Sequence, residues 1–536
     1  MSTPRPVAGR LPLGSALLLA VLGGVLAVLA FPRFNLWPMA IFSVTALNIS
    51  MYGQRARTGA LLGFVYGLAF FIPLLQWTGI YVGAFPWLLL AVTEAVYFAA
   101  MGAALPALLR LPGAPFWSAS LFVLQEAVRG RWPFGGFPWA RLAFSQANSP
   151  LRWFAVVGGA PLVTFVVALS GAALASAILH AFQRRWRLVV GGVAVAVLSG
   201  MLALLLPSIA VPAPSSSATP TIAVIQGSTP DRGLEFNARR RQVLDNHVNQ
   251  TMALAADIDA GKVARPEIVF WPENSSDIDP LQNTDAGSEI QQAADAVGAP
   301  ILVGAILDGP GPNHVQNVGI LWFPSSGPGE TYTKRHPVPF AEYIPLRSIA
   351  QQVSSKVNLV QNDMVAGSGN GLMKTGPFPF GDVICFEVAY DGLVHSSVKA
   401  GAQMLVIQTN NATFGHTAES YQQLAMSQLR AVETQRPVVQ VSTVGVSAVI
   451  DAKGNIVERS GALFTPARLV DAISLNSTKT ISTRLGVLPE VLIALCALGA
   501  IVFVIVTRQR EMRRRKVIPG PTSIDTDQTG DRSISV

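Results

Sequence analysis

Long apolar stretches separated by short basic loops make up the first 210 residues. A helix needs about 20 predominantly apolar residues to cross the hydrocarbon core of a bilayer. The pattern therefore predicts seven transmembrane helices in this half, the fifth of them the shortest, and an eighth near the C-terminus. The first is interpreted as a span and not as a signal peptide, because further spans follow it at once. The expected spans are 12–31, 36–52, 58–78, 86–108, 115–128, 154–181, 188–210 and 487–507.

A different pattern occupies residues 221–478, where short runs rich in Val and Ile alternate with longer helical stretches such as 236–258 and 419–435. Segment 447–458 is typical of a hairpin with its turn at 451–455. Strands that alternate with helices predict a layered α/β domain with its sheet buried against helices. The expected strands are 221–226, 267–271, 300–306, 318–323, 383–386, 404–409 and 438–443.

These patterns divide the chain into five parts. A Pro/Ser/Ala-rich linker joins the membrane half to the polar domain, and a basic segment followed by a disordered tail ends the chain. The expected parts are a membrane domain at 1–210, a linker at 211–220, a catalytic domain at 221–478, an eighth transmembrane helix at 485–508 and a cytoplasmic tail at 509–536.

The charges support a membrane protein. Half of the chain is hydrophobic and 13% is charged, against about 25% charged residues in soluble domains. The net charge of +8 does not indicate nucleic-acid binding, since the basic residues flank apolar runs as the positive-inside rule requires. With the N-terminus in the cytoplasm, the basic clusters all become cytoplasmic and the catalytic domain becomes extracytoplasmic. The clusters are Arg5 and Arg10, Arg55 and Arg57, Arg110, Arg184, Arg185 and Arg187, and the segment 508–516.

The loop 129–153 breaks this charge rule, because it would lie outside and yet contains Arg129, Arg131 and Trp139. Two interpretations stay open. The loop is either an interfacial aromatic belt with snorkelling arginines or a shelf for lipid phosphate groups beside an active site.

Only two cysteines occur, and they are expected to stay unpaired, since Cys496 lies in an apolar span and Cys385 in the polar domain. A lone Cys385 is either a buried core residue or a reactive thiol. The sequence contains no CxxC or HExxH spacing and no phosphate-binding glycine loop, so neither a metal nor a cofactor is expected.

Ionisable residues follow several of the expected strands. Glu273 follows the expected strand 267–271, and Cys385 precedes Glu387 by two positions. Lys334 and Glu342 lie on either side of Pro337 and Pro339. Each acid or lysine taken singly is typical of a solvated surface. Together they suit covalent acyl transfer, because a carboxylate can take the thiol proton and an ammonium can stabilise an oxyanion.

The order Glu273, Lys334, Cys385 resembles the triad of the nitrilase superfamily, and the local strings resemble its membrane branch, the apolipoprotein N-acyltransferases. The resemblance covers essentially the whole chain. The strings that carry it are IQG at 225–227, WPEN at 271–274, TKRHPVPFAEYIP at 333–345, ICFE at 384–387, TNNATFG at 409–415, RAVETQRP at 430–437, STVGVSAVIDAKG at 442–454, and Glu126 with GFPW at 136–139.

The resemblance implies a membrane bundle of about eight helices and an extracytoplasmic αββα sandwich. It implies that Glu273 is the general base, Lys334 the oxyanion-stabilising lysine and Cys385 the nucleophile. Glu342, Glu387, Asn317 and Phe386 are implied as supporting residues. The chain departs from the family pattern at Thr413 and at Phe386, where the family usually has aromatic Trp and Tyr.

The implied reaction moves a fatty acyl chain from a phospholipid, through a cysteine thioester, to the N-terminal amine of a diacylglyceryl-modified lipoprotein. A monomer is expected, and a membrane glycosyltransferase is a further expected partner. Segment 346–380 is a candidate lid over the thioester or an ordinary surface loop. The residues expected to contact lipid are Trp139, Arg129, Arg131, Thr413 and Phe414.

Two other functions stay open at this stage. A membrane-tethered amidase would share the triad but act on a small soluble substrate. A transporter or scaffold would need charged or broken-helix sites at the bilayer midplane, and the expected spans contain very few charges.

Overall fold

The computed structural model describes residues 10–211, 218–229 and 240–517, with side chains up to residue 512. Arg5, most of the expected linker and the C-terminal tail beyond residue 517 lie outside the described residues.

Eight helices match the eight expected spans in position. Six of them are long and apolar enough to cross a membrane, while α2 has 14 residues and α5 has 16. The prediction of about eight membrane helices is therefore approximate, and the fifth helix is short, as expected. The bounds are α1 Leu13–Ala30, α2 Pro38–Met51, α3 Ala56–Leu74, α4 Ala84–Leu108, α5 Ala114–Arg129, α6 Ala155–Phe182, α7 Trp186–Ile209 and, after the polar domain, α14 Leu488–Val517.

Small residues let α3 and α4 approach closely. A Cβ added at Gly59 would lie 2.1 Å from the carbonyl oxygen of Gly102, and one added at Gly63 would lie 2.1 Å from that of Phe98. Close backbone approach at small residues is the usual way in which helices pack inside a bilayer, where no hydrophobic force drives them together.

A break in α6 turns its first residues toward the polar domain. Gly158 and Gly159 have non-helical dihedrals, and Gly159 has a φ of +68°. A Cβ at Gly159 would stand 2.7 Å from a carboxylate oxygen of Glu433 in the polar domain. Glycine is thus required here both for its conformation and for the close contact between the two halves.

The polar domain consists of two sheets packed face to face. The first has the strand order β13-β1-β2-β3-β4-β5 with β6 beside β4, and the second has the order β12-β11-β10-β9-β8-β7. The strands are β1 Thr221–Gln226, β2 Ile268–Phe270, β3 Ile301–Asp308, β4 His314–Phe323, β5 Gly327–Thr333, β6 Asp363–Met364, β7 Leu372–Met373, β8 Phe380–Ile384, β9 Leu405–Thr409, β10 Val438–Ser442, β11 Ala448–Ile450, β12 Ile456–Arg459 and β13 Ala467–Ala472.

Helices cover both outer faces and complete the expected αββα sandwich. The first sheet is covered by α8 and α9, and the second by α11 and α12, while two short helices, α10 and α13, lie outside the layers. Because α12 also packs on α6, it lies between the second sheet and the membrane helices. The bounds are α8 Arg240–Asp259, α9 Thr284–Val297, α10 Arg347–Val353, α11 Asp391–Ala400, α12 Glu419–Thr434 and α13 Ile481–Leu485.

The segment 346–380 is more ordered than the expected lid. It contains α10, and it contributes β6 to one sheet and β7 to the other. Only the parts outside these strands remain candidates for a moving cover.

Candidate active site

Cys385 stands where β8 ends, at the start of a short 3-10 helix, Cys385–Ala389. Its φ is +56°, a conformation that a non-glycine residue rarely adopts. The half-buried sulfur lies 3.4 Å from Thr409 Oγ1 and 3.7 Å from Gln423 Nε2, within hydrogen-bonding reach of both. The strained turn thus directs the sulfur toward the end of β9 and toward α12.

Glu273 follows β2 and is 3% exposed. Its Oε1 accepts hydrogen bonds from Asn317 Nδ2 at 2.7 Å and from Lys334 Nζ at 2.9 Å, while its Oε2 accepts from the backbone N–H of Asn410 at 2.9 Å. These three donors hold the buried carboxylate in one orientation.

Lys334 follows β5 and is 1% exposed. Its ammonium donates to Glu273 and, at 2.6 Å, to Glu342 Oε1. Burial alone would lower the pKa of Lys334, but the carboxylates of Glu273 and Glu342 and the nearby thiol hold it well above its usual value. The lysine is therefore a fixed cation.

Glu342 is held in turn, because its Oε2 accepts the backbone N–H of Val338 at 2.7 Å. Burial raises the pKa of Glu342, and the charge of Glu273 adds to that rise, while Lys334 opposes it. The carboxylates of Glu273 and Glu342 share the one ammonium of Lys334, so the cluster has two acidic side chains and one basic side chain.

Glu387 connects the cysteine turn to the lysine segment. Its Oε2 accepts the backbone N–H of Ile384 at 2.9 Å, and its Oε1 accepts those of Arg335 and His336 at 2.7 and 3.0 Å. Tyr332 donates its hydroxyl to the same carboxylate at 3.0 Å. Burial raises the pKa of Glu387 to about 6 in spite of these bonds.

Electrostatics leave Cys385 protonated at rest. Burial and the charge of Glu273 raise the pKa of the thiol, and Lys334 opposes them. A thiol in this state needs a base at the moment of reaction, and Glu273 is the carboxylate beside it. The cluster can therefore generate a thiolate, stabilise an oxyanion at Lys334 and carry an acyl group on sulfur.

A loop from the membrane half lies against this pocket. Phe386, directly after the cysteine, stacks on Trp139 with a centroid distance of 5.8 Å and on Phe137 at 5.6 Å. Trp77, from the segment after α3, meets Phe414 at 4.8 Å. Thus Phe386 and Phe414, two of the expected site residues, join the two halves of the chain through aromatic contacts.

Arg129 and Trp139, which were expected to contact lipid, are both buried within the protein. Arg129 is 1% exposed, and its Nη1 donates to Glu94 and to the carbonyls of Phe137 and Trp139. Trp139 is 2% exposed and donates its indole N–H to Gln422. Both side chains therefore fix the loop 129–153 through hydrogen bonds to other parts of the protein. By contrast, Arg131 is 56% exposed and pairs with Glu490 of α14, and Thr413 is half-buried.

The structure brings Glu273, Lys334, Glu342 and Asn317 into one hydrogen-bonded cluster with Cys385 at its side, and Glu387 binds the backbone of the adjoining segments at Ile384, Arg335 and His336. Sequence reasoning missed Thr409 and Gln423, which contact the sulfur. The string at 409–415 contained a signal, but nothing in it indicated which residue of α12 would face the thiol. Among the described residues, no group of three or more His, Cys, Asp and Glu side chains could hold a metal ion.

Comparisons with known proteins find similarity in both halves of the chain. The family model for the apolipoprotein N-acyltransferase N-terminal domain matches residues 23–173, and the carbon-nitrogen hydrolase model matches residues 221–482. The chain is 39% identical to the apolipoprotein N-acyltransferase of Mycolicibacterium smegmatis, over 93% of this chain and 87% of that protein. It is 27% identical to the enzyme of the same name from Vibrio parahaemolyticus, over 82% of this chain and 88% of that protein.

Among solved structures, an amidase of the nitrilase superfamily from Nesterenkonia AN1 matches with a TM-score of 0.36 and 17% identity, over 49% of this chain and 94% of the amidase. A nitrilase-superfamily protein of Saccharomyces cerevisiae matches with a TM-score of 0.34 and 16% identity, over 48% of this chain and 91% of that protein.

Proposed function

The chain belongs to the apolipoprotein N-acyltransferase family, and from this premise we propose that Cys385 carries a fatty acyl group from a membrane phospholipid to the N-terminal amine of a diacylglyceryl-modified lipoprotein. The observation that carries the proposal is the placement of Cys385. Its thiol lies beside the buried pair of Glu273 and Lys334, under a loop of the membrane half.

The first half-reaction loads the cysteine. Glu273 takes the thiol proton, and the sulfur attacks the ester carbonyl of the phospholipid. Lys334 stabilises the oxyanion, which costs no reorganisation because the ammonium is already fixed by two carboxylates. When the carbonyl re-forms, the ester C–O bond breaks and the leaving oxygen takes the proton from Glu273. A lysophospholipid departs and a thioester remains.

The second half-reaction transfers the acyl group. The lipoprotein amine attacks the thioester carbonyl, and Glu273 takes the proton that the nitrogen loses. When the carbonyl re-forms, the C–S bond breaks and its electron pair goes to the sulfur, which takes the proton back from Glu273 as the amide is released. Both substrates are anchored in the membrane, so confinement to one leaflet removes part of the entropy of their encounter.

Glu342, Asn317 and Glu387 are proposed as supporting residues. Glu342 and Asn317 hold Lys334 and Glu273 in one geometry, and Glu387 fixes the cysteine turn against the lysine segment. All of these groups come from one chain, which supports a monomer as the working unit.

The chain is a multi-pass membrane protein, and we propose that its catalytic domain is extracytoplasmic. The support is the distribution of loops. Segments after α1, α3 and α5 contact the catalytic domain through Pro32, Trp77 and Trp139. The intervening loops and the helix ends beside them carry clusters of basic residues, which the positive-inside rule assigns to the cytoplasm, whereas Arg131 and Arg141 after α5 are paired with Glu490 and Asp391. The basic residues assigned to the cytoplasm are Arg55, Arg57, Arg110, Arg184, Arg185 and Arg187.

Intact mass spectrometry of the purified chain after incubation with phospholipid tests the proposal. We expect a mass gain of one fatty acyl group that hydroxylamine removes and that Cys385→Ala abolishes. Addition of a synthetic lipopeptide with a free N-terminal diacylglyceryl cysteine should discharge it and yield the N-acylated peptide. An active preparation that never gains an acyl group from any phospholipid class would overturn the thioester mechanism.

A further inference from the structure

We propose that Thr409 and Gln423 form a hydrogen-bonding cradle for the Cys385 sulfur, which receives the negative charge when the thiolate forms and again when it leaves the thioester. The inference rests on the proposed function and assigns to the sulfur two hydrogen-bond donors in addition to the general base and the oxyanion-stabilising lysine. The cradle consists of Thr409 Oγ1 and Gln423 Nε2, at 3.4 and 3.7 Å from Sγ.

The cradle is fully buried and comes from elements outside the triad segments. Thr409 is the last residue of β9 and Gln423 lies in the first turns of α12, and both are 0% exposed. Burying a polar side chain that has no hydrogen-bond partner costs free energy, because the side chain loses its bonds to water. Here each side chain places a donor within reach of the same sulfur.

The orientation of the Gln423 amide follows from its neighbours. Its Oε1 accepts from Thr409 Oγ1 at 2.8 Å and from Asn411 Nδ2 at 3.0 Å, so its nitrogen is the atom that faces the sulfur. Asn411 is fixed in turn, since its Oδ1 accepts from Ser442 Oγ at 2.6 Å and its Nδ2 also donates to Glu419 at 2.8 Å. The cradle is thus preorganised by a chain of buried bonds.

Thr409 has one hydroxyl proton and two possible acceptors for it, Gln423 Oε1 and the Cys385 sulfur. The hydroxyl can therefore turn from one acceptor to the other when the charge on the sulfur changes. With a neutral thiol, the shorter contact to Gln423 Oε1 is the better hydrogen bond. With a thiolate, the charge-assisted bond to sulfur is the stronger one. Gln423 Oε1 keeps the donor from Asn411 when the hydroxyl turns, so no buried acceptor is left without a partner.

The second half-reaction depends most on this cradle. As the amine attacks, the C–N bond forms and Glu273 takes the amine proton; the C–S bond then breaks and its electron pair goes to sulfur. Hydrogen bonds from Gln423 and Thr409 stabilise that thiolate until Glu273 returns a proton to it. In the first half-reaction the loss of thiolate would be partly offset, because a more basic thiolate is a stronger nucleophile.

The full-length protein in detergent provides the test. We compare Gln423→Leu, Thr409→Val and Thr409→Ser with wild type by the rate at which iodoacetamide alkylates Cys385 as a function of pH. Peptide mass spectrometry reads the Cys385 site separately, since Cys496 is exposed. Gln428→Leu is the matched control, because Gln428 lies on the same helix, is buried, and donates to Gly454 O at 2.9 Å away from the thiol.

We expect Gln423→Leu and Thr409→Val to move the alkylation profile to higher pH, with about tenfold slower alkylation at a fixed neutral pH for one pH unit of displacement. Thr409→Ser and Gln428→Leu should keep the wild-type profile. Transfer from a preformed thioester to the lipopeptide amine should slow by roughly tenfold to a hundredfold in the first two variants, and thioester formation by less.

The possible outcomes distinguish a failure of the cradle from a failure of the proposed function. If Gln423→Leu and Thr409→Val keep the wild-type alkylation profile and transfer rate while wild type forms its thioester, the cradle is overturned and the proposed function stands. If wild type forms no thioester, the proposed function fails and the alkylation profiles still test the cradle. If Gln423→Leu melts early compared with Gln428→Leu, the pair Thr409→Val and Thr409→Ser decides, and equal profiles for that pair overturn the cradle.

Discussion

Asp382 is a buried acid whose ionised form is disfavoured by its surroundings. It is fully buried on β8, and neither carboxylate oxygen has a hydrogen-bond partner among the described residues. A Cβ at Gly319 would stand 2.0 Å from Asp382 Oδ2 and 2.9 Å from Gln408 Oε1, so the acid and the amide oxygen share one small space. Burial raises the pKa of Asp382 well above its usual value, and the charges of Glu387 and Glu273 add to the rise.

Replacing Asp382 should consequently stabilise the fold. A raised pKa in the folded state means that stability falls as pH rises above the unfolded pKa of about 4, because the folded state retains a proton that the unfolded state loses. Asp382→Asn removes this dependence and supplies an amide donor. We expect its melting temperature in detergent to exceed that of wild type at pH 7 by roughly 2–4 °C. The gain should vanish near pH 4, and a lower melting temperature at pH 7 would contradict a raised pKa of Asp382.

Glu419 behaves similarly beside the sulfur cradle. Its Oε2 accepts from Asn411, and burial raises its pKa to about 8, with the charge of Glu273 adding to the rise. The contribution of the neutral acid to stability is therefore lost as pH rises from the unfolded value toward 8. Glu419→Gln is neutral at every pH, so its melting temperature relative to wild type should climb over this range and level off above pH 8. A constant difference between the two proteins would exclude a neutral Glu419.

Sequence reasoning singled out three candidate residues at strand ends, where a rigid frame leaves side chains open to substrate. Glu273 follows β2, Lys334 follows β5 and Cys385 follows β8, and the structure brings the three side chains together. The same reasoning could not find Gln423, because the face of a helix that meets a strand end depends on packing between distant segments. It also could not foresee that Arg129 is buried against Glu94, because arginine and tryptophan are enriched both at membrane interfaces and in buried clamps.

At the scale of elements, the turn that carries Cys385 is held from α12. Arg430 Nε donates to Val388 O at 2.8 Å and its Nη2 donates to Ala389 O at 3.0 Å, so one guanidinium binds both carbonyls at the end of the 3-10 helix. Asp391 and Glu433 neutralise that guanidinium, and Asp391 also accepts from Arg141 of the membrane half at 2.8 Å. The turn is thus fixed to the helix behind it.

Lysine cannot reproduce this clamp, because a single ammonium lacks the planar fork of arginine. We expect Arg430→Lys to keep the fold and lower kcat by about tenfold to a hundredfold, since a small displacement of the nucleophile disturbs the geometry of attack. Hydrogen exchange should rise at 385–390 while 438–442 stays protected. Unchanged exchange in the cysteine turn, with unchanged kcat, would show that the clamp is dispensable.

Elements with strong local patterns were predictable, and those defined by distant pairing were not. Strand β1 matches its expected bounds, and its apolar run is visible in the sequence. Strand β5, GPGETYT, has no apolar run, and β13 becomes a strand through antiparallel pairing with β1. The sequence places β6 and β7 in a loop, because two-residue strands exist only through their partners β4 and β8.

At the scale of the whole molecule, Gln422 of α12 joins the two halves. Its Oε1 accepts the indole N–H groups of Trp139 at 2.8 Å and of Trp77 at 3.3 Å, and its Nε2 donates to the carbonyls of Leu74 and Pro32. Three separate segments of the membrane half therefore meet one side chain, whose neighbour, Gln423, contacts the reactive sulfur.

The proposed orientation predicts which loops are accessible from each side. In a Cys496→Ser background, Lys453→Cys in the exposed hairpin turn should react with a membrane-impermeant maleimide in right-side-out vesicles. Arg110→Cys, exposed in the loop between α4 and α5, should react only in inside-out vesicles. The opposite pattern would invert the topology, and labelling of both from one side would remove α5 from the set of spanning helices.

The junction at Gln422 also makes the enzyme sensitive to the thickness of its bilayer. Helices tilt when their apolar length and the local hydrocarbon thickness differ. Because the segments after α1, α3 and α5 are all bound to one residue of α12, such a tilt cannot be absorbed between the two halves and reaches the helix that touches the sulfur. Turnover should then vary with the chain length of inert host lipids, even when the donor phospholipid and the acceptor are unchanged.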